Sequence, residues 1–468
     1  MWDHAVLNGT IVTDREIYPG NIYIKGGKIA RITTQLLPED AAETTDASGK
    51  LVFPGFIETH AHSRDGRQGT GKKEDFSTSS AAAAATGITT MFEMPNCFPP
   101  LSSAAAVEDL VKVITPKAHV DFAVWGLALG DANLTQIPEI AAAGVIAFKF
   151  FWGYAIDKKT HQLIYNYSPE MKDALPPPDE GEIYRLFEKI RSTGLRVGVH
   201  AENFNIIKAR TEREKLLGNR DYEALLRMHP VSCETSVIDT AIDMAQEIGV
   251  PLHILHVGVG EGVEHIRQAK KHGADVTAET CSHYLALTNQ DYARCGSLLK
   301  TYPLIRTERD RELVWQGLQD GTISWVCSDH APHTLAEKQQ DLLTAPAGIS
   351  GIEALTPVIL NAVNEGKINL YQAAAIGSAN AARTFGLYPR KGTIAVGADG
   401  DLAIVDMSRE YVFDQTKMYS KAKWTPYDGM RFQGKVVKTI LRGRTVMEDG
   451  VVSEGCCGAF VRPGQQTE

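Results

Sequence analysis

Leu51-Val52-Phe53-Pro54-Gly55-Phe56-Ile57-Glu58-Thr59-His60-Ala61-His62 reads as an apolar strand running straight into a His-x-His pair. In an extended segment, residues i and i+2 point to the same side, so both imidazoles can face one ion. Taken alone, the pair reads more simply as two histidines on a polar loop. The rest of the chain supplies the context. Further apolar runs lie at 88–94, 120–127, 145–151, 195–199, 251–255, 274–278 and 323–327. Helical patterns at 77–85, 104–113, 184–191, 236–248, 263–272 and 309–318 fall between them. With 51–57 as the first, these make eight strands alternating with helices. That order predicts an α/β fold of the (β/α)8 barrel type.

The two ends of the chain have a different texture. Residues 5–7 and 9–12 flank a predicted tight turn at Asn8-Gly9. Residues 22–24 and 29–32 flank Gly26-Gly27, a strong hairpin signal. Short strand patterns return at 393–396, 401–405, 438–441 and 445–446. We therefore expect a small β-sandwich domain assembled from residues 1–53 and 386–468, around a barrel of residues 54–385.

Composition narrows the function classes. Of 468 residues, 43% are hydrophobic and 22% charged, which excludes a disordered chain or a coiled coil. Lys plus Arg number 48 and Asp plus Glu 57, a net charge of −9. Without a basic block, nucleic acid is not the expected partner. The start carries no signal-peptide pattern, and no apolar run reaches the ~18 residues of a membrane span. Seven cysteines without framework spacing read as reduced thiols, so a cytoplasmic location is expected.

Chemistry collects at the strand ends. Lys149 ends the apolar run at 144–148, and His200, His256 and Asp329 follow the runs at 195–199, 251–255 and 323–327. The C-terminal ends of barrel strands are where this fold builds active sites. Strands one, four, five, six and eight thus each present a possible metal ligand. Lys149 qualifies only if its amine, neutral when desolvated, captures carbon dioxide as a carbamate. An ordinary ion-paired barrel lysine is the alternative.

Six motifs together resemble the cyclic amidohydrolases of the amidohydrolase superfamily, the group of dihydroorotase, allantoinase and hydantoinase (dihydropyrimidinase). They are Pro54–His62, Phe148-Lys149, Val199-His200-Ala201-Glu202, His253-Ile254-Leu255-His256, Glu279–Tyr284 and Ser328–His333. The resemblance implies two zinc ions. His60, His62 and Asp329 would hold one, His200 and His256 the other, with N6-carboxylated Lys149 and a hydroxide bridging them. It implies Asp329 as the catalytic base and then acid, a small cyclic amide or ureide as substrate, and a homodimer or homotetramer.

Within the group, Arg64, Asn96 and His333 match positions that hold the carboxylate of dihydroorotate, so dihydroorotase, an enzyme of pyrimidine metabolism, is the first reading. Tyr302 stands where dihydroorotases carry a ring-recognising Asn. That substitution, a long 65–76 segment, and the allantoinase-like stretches at 279–284 and 386–392 favour allantoinase or hydantoinase as the alternative. A second alternative is a catalytically inactive dihydroorotase-like scaffold, against which all six ligand positions are intact.

Overall fold

The computed structural model describes residues 1–165 and 167–464. Eight parallel strands form the barrel. Phe56–Ala61, Ile88–Glu93 and Asp121–Val124 pair in sequence. The third strand breaks at Trp125 and resumes as Gly126–Ala128, which pairs with Phe148–Trp152. Val197–Ala201, Leu252–Ile254, Val276–Cys281 and Trp325–Cys327 complete the circuit. Closure comes just past the eighth strand. The His62 amide donates to the His330 carbonyl at 2.7 Å, and the His330 amide to the His60 carbonyl at 3.2 Å.

The helices lie where the periodicity predicts. Several of them start on side-chain caps that satisfy orphaned amides of the first turn. Asp75 caps Phe76–Ala84, and Ser103 caps Ala104–Ile114. Glu180–Arg191 begins earlier than its apolar pattern because Asp179 and Glu182 form a capping box there.

The run at 51–57 proves to be two strands. Leu51–Pro54 pairs antiparallel with Leu402–Val405 of a nine-stranded sheet, whereas Phe56–Ala61 opens the barrel. Gly55 is the joint: a Cβ there would lie 2.0 Å from Thr89 Oγ1, so only glycine lets the two strands approach. The nine-stranded sheet draws on both ends of the chain, with Trp2–Val12, Ile17–Lys25 and Lys28–Thr33 on one side and Leu402–Val412, Arg431–Leu441 and Arg444–Glu448 on the other.

Two local expectations are corrected. Asn8-Gly9 is not a turn: Trp2–Val12 is one strand with a bulge, Asn8 adopting φ 61° as the register shifts between Val6 and Gly9. Residues 393–396 form no strand, although Ile394 is buried in the sheet's core. The Gly26-Gly27 hairpin is as read, both glycines having positive φ.

A three-stranded flap of Ala155–Asp157, Leu163–Ile164 and Ala174–Leu175 follows the fourth barrel strand. Strands of two or three residues leave no periodicity to detect. Among the described residues, no helix is long and apolar enough to cross a membrane.

Candidate active site

The C-terminal mouth of the barrel brings all six predicted ligand positions to one cavity of about 60 Å³. The rings of His60 and His62 lie 5.2 Å apart, those of His60 and His256 5.3 Å, and those of His200 and His256 4.7 Å. His256 and Asp329 adopt φ of 40° and 42°, the left-handed region that non-glycine residues rarely enter. Strain of this kind gathers at functional sites, where the surrounding structure holds it in place.

Proton positions follow from the partners. His60 Nδ1 donates to Glu279 Oε1 at 2.6 Å, and His62 Nδ1 to Asn96 Oδ1 at 2.6 Å. Each ring therefore turns an unprotonated Nε2 toward Asp329 Oδ1, at 3.3 and 3.2 Å. His60 Nε2 is buried without a hydrogen-bond partner. Burial pushes His62 down to about 4, so it stays neutral. Three lone pairs facing one another with no proton between them suit a cation. His200 Nε2 donates to Glu202 at 2.9 Å, which leaves its Nδ1 3.0 Å from His256 Nε2.

Lys149 is buried, its Nζ 4.5 Å from the Phe151 ring centre. Burial pushes its ammonium down to about 8, against the pull of Asp329 and Glu279. Its amine opens on the same cavity as the four histidines.

The predicted substrate residues divide. Arg64 and Asn96 line both this cavity and an adjoining chamber of about 490 Å³. Asn96 engages His62 through its carbonyl oxygen. His333 lines only the chamber, and both its nitrogens are engaged: Nδ1 accepts from Lys73 at 2.9 Å and Nε2 donates to the Ala347 carbonyl at 3.0 Å. The Arg64 guanidinium donates to the Pro332 carbonyl and lies 3.3 Å from His333 Nε2, and among the described residues it has no carboxylate partner. Tyr302 lines the cavity and stacks on His229, ring centres 4.4 Å apart.

The other histidines lie outside the cavity. His253 stacks on Trp325 inside the barrel. His330 donates to Glu74 and steadies the loop after Asp329. His283 is buried, and among the described residues neither of its nitrogens has a hydrogen-bond partner.

Three participants were not foreseen. Glu279 accepts from His60, Thr59 and Trp325 at once. Tyr154 and Tyr165 wall the cavity, Tyr154 packing edge-on against His200.

A barrel with imidazole and carboxylate donors gathered at its strand ends suits a metal-assisted hydrolase. Residues 51–446 match the amidohydrolase family, and the chain belongs to it. It is 34% identical to L-hydantoinase of Paenarthrobacter aurescens, covering 98% of each chain. It is 36% identical to an allantoinase of Rubrobacter xylanophilus, covering 99% of this chain and 98% of the other. A dihydroorotase of Pyrococcus abyssi is 34% identical, with 96% of each covered. Among solved structures, L-hydantoinase (dihydropyrimidinase) from Arthrobacter aurescens superposes with a TM-score of 0.92 at 33% identity, over 99% of this chain and all of the other.

Proposed function

We propose that this protein hydrolyses a ring C–N bond of a hydantoin- or allantoin-type cyclic ureide. The observation carrying this is the convergence of six ligand-bearing side chains on a cavity that opens, past Arg64 and Asn96, into the 490 Å³ chamber. A ring seated at the ligands leaves that chamber for its substituent.

His60, His62 and Asp329 would hold one divalent ion, His200 and His256 a second, with Lys149, carboxylated, between them. Zinc fits this set of nitrogen and carboxylate donors. Bound there, the ions would polarise the ring carbonyl and acidify water.

The remaining work falls to side chains. Asp329, held as carboxylate, takes the proton of the attacking water and returns it to the departing ring nitrogen. Burial raises the Tyr154 phenol well above its usual range, so it remains a donor at the cavity wall as charge builds on the carbonyl oxygen. Glu279 and Asn96 fix the tautomers of His60 and His62. The nitrogen stays tethered after ring opening, so the reverse cyclisation is accessible.

Dihydroorotate is the second reading. The Arg64 guanidinium, without a carboxylate partner among the described residues, favours an acid-bearing ring, whereas Lys73 is already paired with Glu337 at 3.0 Å. Against it, His333 has both nitrogens engaged within the protein. A panel of hydantoin, allantoin, dihydrouracil and dihydroorotate decides, run with wild type and Arg64→Ala. Turnover led by hydantoin or allantoin is expected. A selective loss of dihydroorotate turnover in Arg64→Ala, of about tenfold or more, would favour the second reading. Inertness on every ring, with no metal bound, would overturn both in favour of a scaffold.

A further inference from the structure

Behind the His200 side of the cavity lies a buried arrangement that the chemistry above does not use. Glu202 accepts from His200 Nε2 through one oxygen at 2.9 Å and from His229 Nδ1 through the other at 2.8 Å. The His229 ring also lies nearly parallel to Tyr302, at an interplanar angle of 19°. The ring of His229 thus serves two walls at once: its edge holds the carboxylate that orients His200, and its face backs the tyrosine against which a ring substrate would sit. Its backbone is fixed in turn, because Arg306 donates to the His229 carbonyl at 2.9 Å and pairs with buried Glu234 at 2.6 Å. Cys233 lies close enough to Glu202 and His229 for the three to suggest a metal site. Both Glu202 oxygens and His229 Nδ1 are already hydrogen-bonded, which argues for a clamp instead.

We propose that His229 is a positioning residue that couples the two walls. Through Glu202 it fixes the His200 ring with Nδ1 toward the cavity. Through its face it fixes Tyr302. The proposal rests on the reading of His200 as a metal ligand and Tyr302 as a substrate wall. Outer partners of ligating histidines act in this way, and removing one weakens metal binding about 10–100-fold.

The two contacts can be separated. His229→Asn keeps an amide N–H near the Nδ1 position and loses the ring face. His229→Phe keeps the face and loses the donor. Each variant is titrated with zinc against a competing chelator, and kcat and KM are measured at saturating zinc on whichever ring of the panel wild type turns over fastest. His229→Phe should bind one of its two zinc ions about 10–100-fold more weakly, with KM near wild type. His229→Asn should keep both ions and raise KM about threefold to tenfold, the range an aromatic stack supports. If His229→Phe yields no folded protein, Glu202→Gln takes its place, with the same loss of one ion expected. Wild-type zinc affinity and KM in all variants would overturn the proposal, as would equal losses of both in His229→Asn and His229→Phe. A wild type that binds no zinc or turns over no ring would instead overturn the proposed function.

Discussion

His60 and His62 give their Nδ1 protons to Glu279 and Asn96, and that direction of donation leaves Nε2 free for a cation. Glu279→Gln can present an amide N–H to His60 Nδ1 and stabilise the wrong tautomer. We expect metal affinity to fall about 10–100-fold, measured by chelator competition. Asp329 is both ligand and proton carrier. Asp329→Asn should retain zinc in elemental analysis while kcat falls about 10²–10⁴-fold; near-normal turnover would refute its role. Reconstituting apoprotein with zinc in buffer stripped of carbon dioxide should give little activity, and added bicarbonate should restore it if Lys149 must be carboxylated. The convergence of the six proposed ligand positions on one cavity was legible because each was read at the end of an apolar run. Their partners were not: Glu279 lies 219 residues from His60, and nothing local marks the pairing. His333 shows the opposite failure, since a motif position could not reveal that Lys73 and Ala347 already occupy both its nitrogens.

Elements with a clear apolar pattern were readable; Phe204–Leu216, with almost no buried face, and Ile352–Asn364, buried nearly all round, were not named although each is 13 residues long. Helices such as Ala104–Ile114 and Glu180–Arg191 announce themselves by periodicity and caps, whereas the flap at 155–175 is built from strands of two or three residues. The strand over 51–57 was read whole because its hydrophobicity is continuous. Its division at Gly55 depends on contact with Thr89, a neighbour from another strand. Gly55→Ala forces a methyl group into Thr89 and should destabilise the protein by about 1–3 kcal/mol, seen as an earlier midpoint in urea. An unchanged midpoint would show that the joint has room to relax.

Barrel and terminal sheet are fastened by buried charge. Lys391 sits among Asp121, at the start of the third barrel strand, and Asp399 and Asp401, at the entry to the sheet. Burial would lower the Lys391 ammonium, but the three carboxylates hold it above its usual range. Lys391→Met strands those carboxylates and should cost about 3–5 kcal/mol. Zinc bound per folded chain should not change, because the cluster contributes nothing to the cavity at the strand ends. The most direct test of the account is anomalous diffraction at the zinc edge from crystals of the zinc-loaded protein. It should reveal two peaks, one among His60, His62 and Asp329 and one beside His200 and His256, with density for a carboxylate on Lys149 between them. A cavity without peaks, or a bare Lys149 amine beside a single ion, would contradict it.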